Sequence, residues 1–350
     1  MIITSSVSPA LRVGLRFLGM WPNDSYGTIY WLSFTLSLLI MQYFQYLVFH
    51  KILADMDNDW RECINIDEHL YMMTIKANMS HLISNALLSF NAIVAVLYLL
   101  GDYVIHSVFL TADYNDTLRQ LPIKIYLPFE TQQSPTFEFL VATLILHVTI
   151  NSCIIAILNG LILTLILHVS GQIDIMCHEI RNVSNNKSTL LRESSVPLFG
   201  MLIERHNKII AFSKNIESLF SFIALMQVVW NTLVICCLGF VIIISIHNET
   251  GIFVFVKTIS GYFVIMIEAF VFCFAGEYLS LKGKLIANAI YETIWYDMPS
   301  GQNKIIIFII MRSQKRLTIT AGKMMDMSFE TFTSMMKASA SYVSVLNAMY

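Results

Sequence analysis

Toward the carboxy end of the chain, Ala338, Tyr342, Val345 and Met349 fall on one narrow face of a helix turning about 100° per residue, with Ser341 at its edge. The face passes from small through aromatic to medium apolar. Such a face suits closure by dewetting: where several copies meet around an axis, an uncharged apolar ring excludes water until it widens. The same pattern also serves a terminal helix packed inside a bundle, and the residues alone leave both readings open. Lys337 restricts the surroundings, because a charge facing hydrocarbon at mid-span costs about 2.5 kcal/mol or more. It must face protein or water.

Other chemistry is sparse. No HExxH, GxSxG or P-loop pattern occurs and the nine histidines are dispersed, so the chain does not read as an enzyme. His178 beside Glu179 reads as a helix surface pair. The six cysteines, Cys63, Cys153, Cys177, Cys236, Cys237 and Cys273, form no CxxC pair and read as small core residues. We therefore expect no metal, no cofactor and no disulfide framework. Glu268, deep in an apolar stretch, suits an ion or proton relay, but a hydrogen bond within the bundle is the simpler role. Lys257 and Glu277 lie near the ends of that stretch and can snorkel.

The elements that must position these residues are set by hydropathy. With 56% hydrophobic and 13% charged residues, the composition lies outside that of soluble domains and reads as an all-α, multispanning membrane protein. A net charge of -2, with no basic cluster interleaved with aromatics, excludes nucleic acid as a partner and leaves membrane lipid. The segment 1–26 has no apolar run long enough for a signal-peptide core. Apolar spans are expected over about 27–49, 83–109, 137–169, 219–246 and 252–281, with a sixth, terminal helix over 324–350. The third exceeds the ~30 Å hydrocarbon thickness and should tilt or project.

Between the spans, the charge-rich residues 50–80 read as a solvated helical loop, and 110–136 as a loop broken by Pro122, Pro128 and Pro135. The segment 170–218 reads as a polar, basic loop, and 247–251 as a tight turn. In the basic segment 282–323 the apolar run Ile305 to Met311 is too short to span and reads as a buried helix of an assembly segment. Lys and Arg mark the inner side of a membrane. Arg181, Lys187, Arg192, Arg205, Lys208 and Lys214, with the basic residues of 282–323, place those two segments in the cytoplasm. The terminal helix then ends outside. Sequons at Asn115 and Asn248 fall in outer loops, whereas those at Asn182 and Asn186 fall inside and should stay unmodified.

Several stretches in the same order resemble insect odorant receptors. The run Lys337 to Tyr342 resembles the Lys-x-Ser-x-Ser-Tyr pattern of that family's seventh, pore-lining helix, and Leu15 to Pro22 resembles its Leu-Arg-x-x-Gly-x-Trp-Pro opening. Phe272 to Leu279 and Ala289 to Tyr296 resemble its sixth helix and the Tyr-x3-Trp patch beyond. The blocks Asn58 to Asp67, Ala77 to Ala86 and Gly171 to Cys177 look like the ant and wasp branch.

The resemblance implies a seven-helix chemoreceptor architecture with a cytoplasmic amino end, an extracellular carboxy end and a cytoplasmic anchor. It implies an odorant-specific subunit of a heterotetrameric, odorant-gated cation channel in the plasma membrane, in olfactory neuron dendrites, completed by a shared co-receptor. It puts Val345 and Met349, with Ser341 and Tyr342, at the gate, and Tyr291 and Trp295 in the anchor where subunits meet. A mainly apolar pocket in the outer half would take a small volatile molecule. By depth, Tyr98, Asp102, Tyr103, His106, Leu140, Leu144, His147, Asn231 and Leu233 are its candidates, each equally an ordinary packing residue.

The chain departs from the family in its span count, six rather than seven. After Phe49 the sequence passes directly into a block that resembles the loop between the family's second and third helices, so the second helix is expected to be absent, through a skipped exon or an imperfect gene model. With six spans the amino end lies outside unless the first segment stops short of crossing. A gustatory receptor is the nearest rival reading, but that family's Thr-Tyr and Gln-Phe ending has no match after Ser341 and Tyr342. A G-protein-coupled receptor would need a cytoplasmic carboxy end, and a transporter would need internal repeats. The sidedness is testable: an endoglycosidase mobility shift is expected to be lost in the Asn115→Gln, Asn248→Gln double variant and kept in Asn182→Gln, Asn186→Gln.

Overall fold

A computed structural model describes residues 27–109, 133–185, 196–247, 252–293, 295 and 300–349. Seven helices account for almost all of them: α1 Gly27–Ile64, α2 Asp67–Phe109, α3 Thr136–Asn185, α4 Val196–His247, α5 Ile252–Tyr291, α6 Ser300–Ser313 and α7 Phe329–Met349. The protein is an all-α membrane protein, with one two-residue ribbon, β1 Thr320–Ala321 against β2 Met325–Asp326. Helices α1 to α5 are long and apolar enough to cross a membrane. At 21 residues, α7 also reaches a span's length of about 30 Å.

The chain divides into two units, residues 1–57 and 58–350. In the first unit, the described part of α1 carries apolar side chains such as Leu36, Tyr43, Phe44 and Leu47 with exposed surfaces. All contacts below belong to the second unit.

The helices outrun the apolar stretches that define them. The charge-rich residues 50–80 are helical on both sides of a break at Asn65 and Ile66, and the segment 170–218 is helical up to Asn185 and again from Val196. The helical character of residues 50–80 agrees with the expectation, whereas 170–218 was expected as a polar loop. The physical reason is that charged residues end an apolar run without ending a helix, and neither Gly nor Pro interrupts residues 172–185. Helices instead begin at local signals: Asp67 and Glu68 in the first turn of α2, and Pro197 in that of α4.

Helix α3 lies at the centre, packed against α2, α4 and α5. Its half from Ile162 to Ile180 is almost wholly buried, including Ile162, Leu165, Ile166, Ile173 and Met176. Small and polar residues let α2 approach it: Ser80 and Thr164 share a hydrogen bond of 2.7 Å, and the Ser152 hydroxyl donates to the Asn91 carbonyl at 3.1 Å. Beyond the apolar region, ion pairs tie the helix ends together. Asp174 of α3 accepts from Lys76 of α2 at 3.0 Å and from Lys282 of α5 at 2.7 Å. Glu179 pairs with Arg205 of α4 at 3.1 Å, and Glu62 at the end of α1 pairs with Lys208 of α4 at 2.6 Å. Buried His168 meets Asp59 at 2.9 Å.

The ribbon between α6 and α7 is pinned to the bundle by backbone. Gly322 and Lys323 adopt φ of 59° and 60°, the left-handed conformation that a tight reversal needs. The Gly322 amide donates to the Ser221 carbonyl of α4 at 2.9 Å. At Gly276 of α5 a Cβ would overlap the Met327 carbonyl oxygen, so α5 and the residues leading into α7 touch main chain to main chain. We expect Gly276→Ala to destabilise the protein by about 2–3 kcal/mol through overpacking. Gly200→Ala, where nothing lies within 4 Å, is expected to be neutral or slightly stabilising. Thermal denaturation of the detergent-solubilised protein, followed by circular dichroism, distinguishes the two.

Candidate functional site

The candidate gate is α7, and its start is firmly built. The Ser328 hydroxyl caps the helix by accepting from the Thr331 amide at 3.2 Å, and Glu330 in the first turn opposes the helix dipole. Around this foot, Phe270 and Phe274 of α5 meet Phe329 and Phe332, and Tyr278, one turn farther along α5, stacks on Phe274. Phe270 stacks on Phe329 with ring centroids 5.9 Å apart and meets Phe332 edge-on at 5.7 Å.

Farther along, the two faces of α7 separate. Met335 and Ser339 are buried, and the Ser339 hydroxyl donates to the Thr232 carbonyl of α4 at 3.4 Å. Val343 lies over Gly239, whose absent side chain admits it: a Cβ there would meet Val343 Cγ2 at 3.1 Å. A cavity of about 500 Å³ opens beside this seam, lined by Ile235, Ile242, Tyr262, Met336 and Ser344 among others.

On the other side, the sequence-derived gate residues are turned away from the protomer. Tyr342 is 60%, Val345 58% and Met349 81% exposed, and Ser341 is exposed beside them. Ser334, Lys337, Ser344 and Asn347 are exposed on the same helix. An exposed helix bearing a lysine, an asparagine and several serines along a span's length is unsuited to lipid on all sides, since each such group would lose its hydrogen bonds in hydrocarbon. Water or another polypeptide must cover it.

The candidate pocket residues are only partly brought together. Tyr98 of α2 lies under the Lys257 ammonium of α5, 4.2 Å from the ring centre. Leu140 and Leu144 of α3 are half-buried, and His147 is exposed with Asn151 donating to it within the same helix. Asn231 is buried with its side-chain oxygen unpartnered among the described residues, whereas Leu233, about 200° further round α4, is exposed. Asn231 and Leu233 therefore cannot line one pocket from one side. The backbone at Asp102, Tyr103 and His106 is helical, but their side chains lie outside the described residues, as do Asn115 and Asn248. In the expected anchor, the rings of Tyr291 and Trp295 come within 6.3 Å, and Tyr291 is largely exposed.

Glu268 is held within the bundle, accepting a hydrogen bond from Gln227 of α4. Among the described residues no group of three His, Cys, Asp or Glu side chains is placed to hold a metal. The features that sequence reasoning missed are the aromatic clamp, which the i, i+4, i+8 spacing of Phe270, Phe274 and Tyr278 signalled, and the ribbon, which only Gly322 signalled.

Comparison with known proteins decides the family. The family described as 7tm Odorant receptor matches residues 25–340, most of the chain. The chain belongs to the 7tm Odorant receptor family. Odorant receptor 13a of Drosophila melanogaster is 25% identical over 264 residues, covering 70% of this chain and 61% of that protein. Odorant receptor 10 of Aedes albopictus is 24% identical over 234 residues, covering 67% and 61%. The chain thus spans about three fifths of the length of these odorant receptors. The olfactory receptor OR5 from Machilis hrabei shares the fold, with a TM-score of 0.60 at 14% identity over 96% of this chain and 98% of that one. The same receptor in complex with eugenol gives a TM-score of 0.61 at 14% identity over 81% and 69%. The 7tm Odorant receptor family is not an enzyme family.

The Gln227 and Glu268 contact is directly testable. Gln227→Leu leaves a buried carboxyl without its donor and is expected to cost about 1–3 kcal/mol, while Gln227→Leu with Glu268→Leu recovers most of that loss. A double-mutant cycle on thermal stability measures the coupling.

Proposed function

We propose that this chain is the odorant-specific subunit of an odorant-gated cation channel, assembling with the family's co-receptor as a heterotetramer in the plasma membrane of olfactory neurons. The observation that carries this reading is the outward face of α7: Tyr342, Val345 and Met349 are exposed near one end, above exposed Ser334, Lys337 and Ser341. Four such faces around an axis would give a water-tolerant conduit narrowing to an apolar ring. Family membership supports a receptor role, and the receptor of the same fold that holds eugenol supports a small, largely apolar ligand.

In this proposal α7 runs from the cytoplasm outward, and the exposed Tyr291 with Trp295 contributes to the subunit contact. An odorant enters the outer half of the bundle near Tyr98, Leu140, Leu144, His147 and Asn231, and packs better against the open arrangement than the closed one. Its differential affinity for the two arrangements shifts their populations. The terminal helices then separate and the Val345 and Met349 ring stays wet.

The test is current from cells making this chain with the co-receptor. Val345→Ser is expected to raise current in the absence of odorant, and Val345→Glu to raise the preference for cations over anions. Unchanged gating and selectivity in both variants count against α7 as the pore helix.

A further inference from the structure

At the end of the bundle that the charge bias assigns to the cytoplasm, α4, the end of α5, the end of α6 and the ribbon enclose a second cavity, of about 380 Å³. That volume lies within the ~300–1,000 Å³ usual for small-molecule sites. Four bases, Lys214, Arg312, Lys315 and Arg316, line it with two carboxylates, Glu217 and Asp326.

The carboxylates are already engaged. Asp326 pairs with Arg316 at 3.6 Å, and Glu217 accepts from the Thr320 hydroxyl at 2.8 Å. Arg316 is further fixed by donating to the Ser280 hydroxyl at 3.2 Å. No carboxylate among the described residues lies within 4.0 Å of Lys214, Arg312 or Lys315, and the bases lining the cavity outnumber its carboxylates by two.

A second, independent feature lies in the same wall. Ser213 lines the cavity, is only 5% exposed, and its hydroxyl has no hydrogen-bond partner among the described residues. A buried hydroxyl is ordinarily satisfied, and an orphan one facing a cavity calls for an occupant. Its neighbour Ser313 donates to the Ile309 carbonyl at 2.8 Å and lies 3.4 Å from His206 Nε2, so that hydroxyl is accounted for.

We propose that this cavity binds a phosphate-bearing ligand, of the inositol phosphate class. A guanidinium fork and two mobile ammoniums suit phosphate oxygens, and an excess of two positive charges is matched by one phosphate monoester or by two singly charged phosphates. The Ser213 hydroxyl supplies a hydrogen bond at the buried end. Such a ligand would join α4 and α6 to the ribbon through Thr318 and Thr320, next to the residues that lead into α7. Its chemistry is shared by a membrane phosphoinositide headgroup and a free inositol polyphosphate.

The experiment reads binding directly and so does not depend on whether the chain conducts ions. The protein, in nanodiscs of phosphatidylcholine alone, is titrated with inositol 1,4,5-trisphosphate by calorimetry. In a parallel arm, nanodiscs doped with phosphatidylinositol 4,5-bisphosphate are analysed for retained lipid by native mass spectrometry. Saturable one-site binding is expected in at least one arm; the free arm alone identifies a soluble ligand, and the lipid arm alone a headgroup. Arg312→Gln with Lys315→Gln is expected to weaken binding at least about tenfold, and Ser213→Ala about threefold. Lys304→Gln, an exposed charge on α6 away from the cavity, is expected to change nothing. The exposed Lys315→Gln alone, expected to weaken binding about threefold, serves if the double variant misfolds. Absence of saturation in both arms, or equal weakening by Lys304→Gln, overturns the assignment.

Discussion

Helices of 50 and 52 residues cannot bury their full length in hydrocarbon about 30 Å thick, so more than half of α3 and α4 must be covered by protein or water. The projecting lengths are joined by the carboxylates of Asp174, Glu179, Glu62 and Asp59. Each exposed or half-exposed pair contributes no more than about 1 kcal/mol. Their larger effect is on register: sliding one helix past another by a single turn, about 5.4 Å, separates Asp174 from both Lys76 and Lys282 at once. The position of everything attached to α4 and α5, including the ribbon and α7, follows from that alignment.

Helix α7 shows how one short element serves two environments. Its buried side is made of residues that let backbones approach, Ser339 and Val343 against Thr232 and Gly239. Its outward side mixes Ser334, Lys337 and Ser341 with the apolar Tyr342, Val345 and Met349, while Ser344 and Asn347 border the cavity beside the seam. The mixture explains why α7 has a span's length without the hydropathy of α1 to α5. Polar groups lower its average, and those same groups show that lipid alone does not cover it.

Much of the fold was readable because the signals were local. The apolar stretches lie inside the helices found, the run Ile305 to Met311 lies within α6, and Glu268 has the hydrogen-bonded role anticipated for it. The extents of the helices were less readable. Asp59, Glu62 and Glu68 look solvated in sequence, yet their partners His168, Lys208 and His178 lie about a hundred or more residues away, and periodicity does not report such distances. At the candidate site, helical spacing grouped Tyr342, Val345 and Met349 on one face of α7 but left open whether that face was packed or exposed. The pocket residues were chosen by depth alone, and depth does not fix which side of a helix a residue occupies. Asn231 and Leu233 separated for that reason.

The close approach of Gly276 to Met327 has a mechanical implication. With main chain against main chain and an aromatic collar around Phe329 and Phe332, the foot of α7 has almost no room to slide. Its far end, by contrast, touches its own protomer along one seam among the described residues. A rod clamped at one extremity moves as a cantilever, so the displacement grows along its length and is greatest where Met349 stands.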